Sequence, residues 1–307
     1  MSDLIKSLPS KIDLEKSRVK PYEGFIFLCG GPTDARSALP TSLRDALYRE
    51  LVKRDSDEAR IRVAEHYKDW AHDSIYNDLV LFEQHIAELS SIIVLILESP
   101  GAIAELGLFS TIDVFREKLL VFVDSQYYKT SSFIKLGPVD FLEKNHGNIA
   151  EVHRWLNNRL QVDGELAEDL QAEIAEAVRS RLSKKKITEK PFNRNQWLHF
   201  ALLVCDLLDL YSALTVRELR SFLDEAGLQK SEHELKQALY LLERVRLIAM
   251  EPKGEQRFYV AITGNQYLRL HIEGGSFDTE RFRSDILTKY NATDKKRFRA
   301  IQEARGR

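Results

Sequence analysis

Long apolar runs are absent from this chain of 307 residues. No stretch approaches the roughly 20 residues needed to cross a bilayer, and the opening "MSDLIKSLPSKIDLEK" lacks the apolar core of a secretion signal. The expectation is a cytosolic protein with no membrane partner. Cysteine is nearly missing too: only Cys29 and Cys205 occur, each inside an apolar run. A disulfide framework and a thiolate metal cluster are therefore not expected, and both residues read as buried thiols. His66, His72 and His85 stand on separate segments without ligand spacing, so no metal site is expected. Internal repeats and low-complexity tracts are also lacking.

What is present is the composition of a soluble globular protein, 44% apolar and 30% charged. The length suits two domains, since one domain usually runs to roughly 100 to 200 residues. The net charge of -2 hides an asymmetry. Residues 1–160 carry 20 basic and 24 acidic side chains, residues 161–180 carry 1 and 6, and residues 181–307 carry 24 and 17. The C-terminal part is thus the candidate for nucleic-acid contact.

Residues 1–20 show no clear period and read as an arm or a short helix. "GFIFLC" (24–29) then runs apolar into "GGPTDARS", as a buried parallel strand enters a glycine turn before a helix. Helical spacing follows over 42–54 and again over 75–89, while "ARIRVA" (59–64) fits a short strand or a helix. The runs "SSIIVLIL" (90–97) and "KLLVFV" (118–123) read as strands on either side of a helix beginning near Pro100. Alternating strands and helices predict an α/β domain, a Rossmann-like parallel sheet with flanking helices, over 21–160. Residues 161–194 begin acidic and end basic, a charge order that suits a connecting helix.

"ESPGAIAELGLF" (98–109) carries the main site candidate. Ser99 is placed to cap a helix whose first residue is Pro100, and Gly101 and Ala102 keep its first turn thin. Glu105 then leans toward the crevice at the carboxyl ends of the strands, where open α/β sheets bind ligands. The plainer reading is a solvated helix residue. Gly30, Gly31 and Pro32 form either a phosphate or ribose cradle or an ordinary βα turn. Glu98 is a further site carboxylate or a solvated strand-end charge.

"GFIFLCGGP", "YNDL" (76–79) and "SPGAIAELG" (99–107), in this order over about 120 residues, together resemble the nucleoside 2-deoxyribosyltransferase family, whose members cleave the N-glycosidic bond between sugar and base. The resemblance implies that Glu105 is the nucleophile at the anomeric carbon and that Asp78 acts in proton transfer. Asn77 would bond the base or Asp78, and Gly30, Gly31, Pro32, Ser99 and Gly101 would line the substrate site. The division of labour between two carboxyl groups is that of glycoside hydrolysis. Two positions depart from the family: Phe27 stands where a strand tyrosine steadies the glutamate, and Ser99 where an aspartate precedes it by six residues. Base exchange is therefore less expected than plain bond cleavage.

Beyond Pro191, "QWLHFALLVCDLLDLYS" (196–212) is an apolar helix. Two capping boxes follow, Thr215 with Glu218 and Ser231 with Glu234. "LIAME" and "QRFYVAI" flank the turn "PKGE" (252–255) as a hairpin would. Three helices and a hairpin, over about 195–275, resemble a mostly helical winged helix-turn-helix domain. Its second motif helix would bury Leu235, Leu239, Leu242 and Val245 and turn His233, Lys236, Gln237, Tyr240 and Arg244 outward. Lys253 and Arg257 on the hairpin, and Lys295, Lys296, Arg297, Arg299, Arg305 and Arg307 in a basic tail (276–307), would contact phosphates. Phe298 would stack on a base or pack a helix. The fold equally supports a protein-interaction module.

A ribosyltransferase-like domain joined to a winged helix is similar to the effectors encoded with bacterial retrons, described as ribosyltransferase and DNA-binding proteins. That likeness implies a toxic anti-phage effector held inactive by a reverse transcriptase and its msDNA, a branched RNA–DNA molecule. It implies NAD or a related nucleotide as substrate, with no cofactor. Relatives that complete their pockets from a neighbouring subunit imply a homo-oligomer. The competing readings are a DNA-binding regulator whose α/β domain only senses a nucleotide, and a scaffold for the reverse transcriptase.

Overall fold

The computed structural model describes residues 7–53, 60–63, 67, 75–163, 166, 168–184, 188–274 and 277–306. The described residues form the strands β1 (Ile12–Val19), β2 (Phe25–Cys29), β3 (Ile61–Arg62), β4 (Ser90–Ile96), β5 (Leu119–Asp124), β6 (Glu151–His153), β7 (Lys190–Pro191), β8 (Ile248–Lys253), β9 (Gln256–Ala261) and β10 (Leu268–Ile272). The chain divides into two compact units, one of residues 23–68 and 78–186, the other of residues 1–22, 69–77 and 187–307.

The first unit is built on a five-stranded sheet in the order β3-β2-β4-β5-β6, with every pair parallel. β2, β4 and β5 are buried along their whole length, so their apolar residues run on without alternation. On one face Ile26, Leu28, Ile92, Val94 and Phe122 pack with Leu43, Leu47 and Leu51 of the helix Leu43–Val52 and with Ile174, Ala175 and Val178 of the helix Glu168–Lys184. The acidic-to-basic segment is thus a layer of this unit, because Ile174, Ala175 and Val178 recur at helical spacing within its charges. On the other face Phe27 meets Phe109 edge-on, with ring centroids 6.5 Å apart. β3 occupies two residues of the ambiguous "ARIRVA" stretch, whose ends at 59 and 64 lie outside the described residues, as does position 54 at the end of the first predicted helix.

The strand order reverses between β2 and β4. Chain order proceeds to one side for β3 and to the other for β4, which makes the crevice beyond the carboxyl ends of β2 and β4 the topological switch point of the sheet.

In the second unit, residues read as an arm form β1, antiparallel to both β10 and β7. The strand carries an irregularity between Asp13 and Arg18, where Ser17 Oγ donates to Asp13 O (2.7 Å) and accepts from His271 N (2.9 Å). That break explains why no alternating period is visible. The helices Trp197–Leu210, Val216–Glu225 and Glu232–Arg244 follow, the last two with both predicted capping boxes formed. β8 and β9 then pair around a two-residue turn in which Gly254 has φ +66°. Leu214, between the first two helices, bridges to Tyr259 of β9. The predicted tail is two helices, Thr279–Thr293 and Lys295–Arg305.

Candidate active site and nucleic-acid interface

Gly30 and Gly31 are required by close approach. A Cβ on Gly30 would lie 2.9 Å from Arg44 Cβ, and one on Gly31 would lie 2.8 Å from Ser42 Cβ and 3.0 Å from Glu98 Cδ. The reason for this crowding is Glu98. It is buried, and its Oε1 accepts from Gly31 N (2.9 Å) and Arg44 N (2.9 Å), while Oε2 accepts from Leu43 N (2.8 Å). Burial raises its carboxyl above the usual range, opposed by those three backbone donors. Glu98 is therefore neither a solvated charge nor a ligand group; it ties the glycine turn to the amino terminus of the helix Leu43–Val52.

This corrects the phosphate-cradle reading of the turn. In doubly wound sheets the turn and helix start after the first strand offer N–H groups to an anion, but here an internal carboxylate takes that place. What remains accessible is Pro32, exposed, with its carbonyl accepting from Thr41 Oγ1 (3.0 Å) and Ser42 Oγ (2.7 Å). The loop beyond is held by Arg49, which donates to Asp34 O (2.7 Å) and Ser37 O (3.0 Å) and pairs with buried Asp45 (3.0 Å).

Ser99 caps the helix Pro100–Thr111 as expected, accepting from Ala102 N (3.2 Å) and donating to Gly30 O (3.0 Å). One side chain thus joins the β2 turn to the β4 turn. Gly101 is exposed in the first helical turn, where an added Cβ would meet only Ser99 Oγ, at 3.9 Å.

Glu105 is half-buried on the second turn, so the solvated-helix reading does not describe it. Burial raises the thiol of Cys29, the last residue of β2, well above its ordinary value; the charges of Glu105 and Glu83 and a hydrogen bond to Glu105 raise it further, while the charge of Arg44 lowers it. Glu105 therefore stands at the carboxyl end of β2, on the switch-point crevice. Cys29 was read only as a buried thiol, which it is. Its neighbour on the same strand face, Phe27, is fully buried and packs on Phe109 instead. The side chain that touches the glutamate is thus two residues further along the strand than the family comparison suggested.

Asp78 caps the helix Leu79–Leu89, its Oδ1 accepting from Val80 N (2.8 Å) and Leu81 N (3.3 Å). The helix predicted from residue 75 starts four residues later because Asp78 is extended (φ -133°, ψ 114°) and ends the preceding segment. Both capping bonds use Oδ1 of this exposed carboxylate. Asn77 is exposed and belongs to the other unit. Leu97, Ile103, Val123, Tyr127, Ile134, Val139 and Leu160, with Lys135, line a mostly apolar cavity of about 100 Å³ at the ends of β4 and β5.

Asp124 was missed by the sequence reading. At the end of β5 it is fully buried and accepts from Trp155 N (2.6 Å), Leu156 N (2.7 Å) and Gln126 N (2.9 Å). It fixes the next loop as Glu98 fixes the first. An acid closing a buried apolar strand is the shared signal.

The expected basic interface is only partly available. Lys236, Arg257, Lys295, Lys296 and Arg299 are exposed, Lys236 pairing with Glu232 (2.6 Å) and Lys295 donating to Asn291 Oδ1 (3.1 Å). Lys253 is held by Glu303. Arg297 is buried: it pairs with Glu218 (2.7 Å) and Asp294 (3.1 Å), donates to Ala213 O (3.1 Å) and lies over Phe258 and Tyr290. Its charge is spent on locking the last helix to the hairpin, which corrects its assignment to phosphate. Gln237 and Tyr240 are corrected likewise, being buried rather than outward. Leu235, Leu239, Leu242 and Val245 are buried as expected. Phe298 is half-buried. Arg307 lies outside the described residues, as do His66 and His72; His85 is buried in its helix. Among the described residues no group of acids, histidines and cysteines could hold a metal ion, and no helix is long and apolar enough to cross a membrane.

The profile of the STM3845 retron effector protein family matches residues 40–250, from the helix after the glycine turn into β8. The chain belongs to that retron effector family. Two relatives from Escherichia coli are similar. The retron Ec86 putative ribosyltransferase/DNA-binding protein is 34% identical over 160 residues, 52% of this chain and 48% of the relative. The retron Ec73 putative ribosyltransferase/DNA-binding protein is 28% identical over 132 residues, 41% of each. The retron effector thus spans about half the length of the curated relatives it matches.

Proposed function

We propose that this retron effector breaks the N-glycosidic bond of a nucleotide, with NAD as the leading candidate, and that Glu105 and Asp78 carry the chemistry. The observation behind the reading is the position of Glu105 at the end of β2, on the switch-point crevice, beside a turn pair joined by Ser99. The carboxylate of Glu105 attacks the anomeric carbon, the carbon–nitrogen bond breaks and its electron pair leaves with the base. Water then cleaves the glycosyl ester, giving the free sugar hydroxyl and regenerating the carboxylate. The apolar cavity at the ends of β4 and β5 suits a flat ring, and no cofactor enters any step. The relatives' names, which pair ribosyl transfer with DNA binding, support both halves of the reading.

The role of Asp78 depends on the leaving base. A purine must be protonated as it departs, whereas nicotinamide leaves NAD as a neutral ring, because its nitrogen was cationic. Asp78→Asn keeps the helix cap, since asparagine caps about as well as aspartate, but cannot donate the proton. Release of a purine base should fall roughly a hundredfold, in the range of general acid catalysis, and release of nicotinamide by less than about tenfold. Undiminished purine release would remove Asp78 from the chemistry.

In the same proposal the helices Trp197–Leu210, Val216–Glu225 and Glu232–Arg244 with the β8–β9 hairpin act as a winged helix-turn-helix. The Leu214–Tyr259 bridge closes the small sheet of that arrangement. Lys295, Lys296 and Arg299 supply phosphate contacts to msDNA, and with the reverse transcriptase this contact holds the effector inactive until infection. Exposed Phe133 and Leu136 are apolar side chains that a second copy would cover. Reversing Lys295, Lys296 and Arg299 to glutamate should weaken binding to msDNA and flatten its dependence on the logarithm of salt by about two to three, close to one per lost contact. An unchanged slope would exclude this face.

A further inference from the structure

β7 is an edge strand of its sheet, and the chain turns from it into the 14-residue helix Trp197–Leu210. Asn193 makes the turn. Its Oδ1 accepts from Asn195 N (2.9 Å), its carbonyl accepts from Gln196 N (3.2 Å), and its own N–H donates to Nδ1 of His199 (2.9 Å). A ring nitrogen that accepts carries no proton, so the proton of the neutral imidazole sits on Nε2. Burial, with the nearby charge of Lys190, pushes the His199 pKa down to about 4 and keeps the ring neutral. The ring is tilted against Phe192, centroids 5.7 Å apart, and the residue is only 4% exposed. His199 lines a cavity of about 630 Å³ at the start of the helix. Its Nε2 bonds to no described residue and is not enclosed by protein, so the N–H it carries opens on that cavity. Lys190 and Arg194, both exposed, line the same space, with Glu15 as the one acid among the described lining residues. All of these residues belong to the second compact unit.

We propose that this cavity binds a terminal phosphate, carried by a nucleotide or by the end of a nucleic-acid strand, with His199 Nε2–H as its buried donor and Lys190 and Arg194 as its cations. Three features of the cavity favour an anion. The amino end of the helix is the positive end of its dipole, and Gln196 places no side-chain cap on it. The two basic side chains outnumber the acid. Arg194 is steadied by a bond from Nη1 to Gly227 O, which one carbonyl does not exhaust in a group with five N–H donors. The recess of His199 then selects the kind of phosphate. A terminal phosphate offers three acceptor oxygens and about two negative charges, and it projects far enough to enter, whereas a phosphate inside a strand is flanked by sugars on both sides. The site is independent of the chemistry proposed for Glu105 and Asp78.

The test titrates the full chain with inorganic phosphate, AMP and adenosine, and follows the amide resonances of Asn195 and Gln196 and the ring resonances of His199 by NMR. Phosphate and AMP should shift these signals saturably, and adenosine should not. His199→Asn keeps an acceptor for the Asn193 N–H but lacks the Nε2–H donor, and it should weaken AMP binding at Asn195 and Gln196 by about ten- to a hundredfold, the range for one hydrogen bond to a charged group. Lys190→Glu, on an exposed strand end, should weaken it by at least about threefold, and by less at high salt. If His199→Asn fails to fold, Lys190→Glu decides. Short DNA strands with a 5′-phosphate or a 5′-hydroxyl separate the sources: tighter binding of the phosphorylated strand than of AMP assigns the site to strand ends, and equal or weaker binding assigns it to free nucleotides. The proposal is overturned if phosphate, AMP and the phosphorylated strand leave the signals in place. It is also overturned if adenosine or the 5′-hydroxyl strand shifts them as strongly, or if the folded variants bind as wild type does.

Discussion

Glu105→Gln should lower base release by at least about a thousandfold while leaving stability within about 1 kcal/mol of wild type. The substitution keeps size and helix propensity but removes the nucleophilic charge. A neutral amide neither forms the glycosyl ester nor balances the positive charge that develops on the sugar ring. Because Glu105 sits half-buried against the Cys29 thiol, a carboxamide still finds a neighbour there. The loss should therefore appear in kcat and in kcat/KM alike, with substrate affinity little changed, as for an interaction made only in the transition state. A carboxylate with a merely structural task would show the reverse: lower stability, with activity following the folded fraction.

Glu98→Leu should destabilise the first unit by about 3 to 5 kcal/mol, measured by urea denaturation, because three backbone donors lose their acceptor at once. Gly31, Leu43 and Arg44 present their N–H groups to this one carboxylate in a space with no room for substitutes. Glu98→Gln should cost less, about 1 to 3 kcal/mol: its carbonyl oxygen still accepts from Gly31 and Arg44, but its NH₂ group faces the Leu43 donor. The ordering Leu worse than Gln separates a clamp from a catalytic acid, for which both substitutions would leave the fold intact.

The pair Glu98 and Glu105 shows how far the sequence could be read. Glu105 was legible because strand, small-residue turn and helix lie together in the chain, and their local rules place the residue on the crevice. Glu98 was not, because its meaning depends on Gly31, Leu43 and Arg44, more than fifty positions away, brought beside it only when β2 and β4 pair. The same limit hid β1 and β10. Their partners are some 250 residues apart, and β1 carries an irregularity that erases its alternation. On the second motif helix the apolar positions were readable from their spacing, and Leu235, Leu239 and Leu242 are buried accordingly. Gln237 and Tyr240 are buried by Ile75 and Tyr76, a segment from the other half of the chain that helical spacing cannot announce. Arg297 misled for a related reason: a basic tail reads as a nucleic-acid contact until Glu218, Asp294, Phe258 and Tyr290 are found around the guanidinium.

The central claim is that the crevice between β2 and β4 breaks a glycosidic bond. The full-length protein, incubated with NAD, with purine nucleotides and with nucleosides, alone and with the proposed partners, a retron reverse transcriptase and its msDNA, tests it through chromatography of the free base. Release of base with an equal amount of the matching sugar product, greatest in the absence of those proposed partners, is the predicted result. No free base from any of these substrates under either condition would contradict it and leave the α/β unit as a nucleotide sensor.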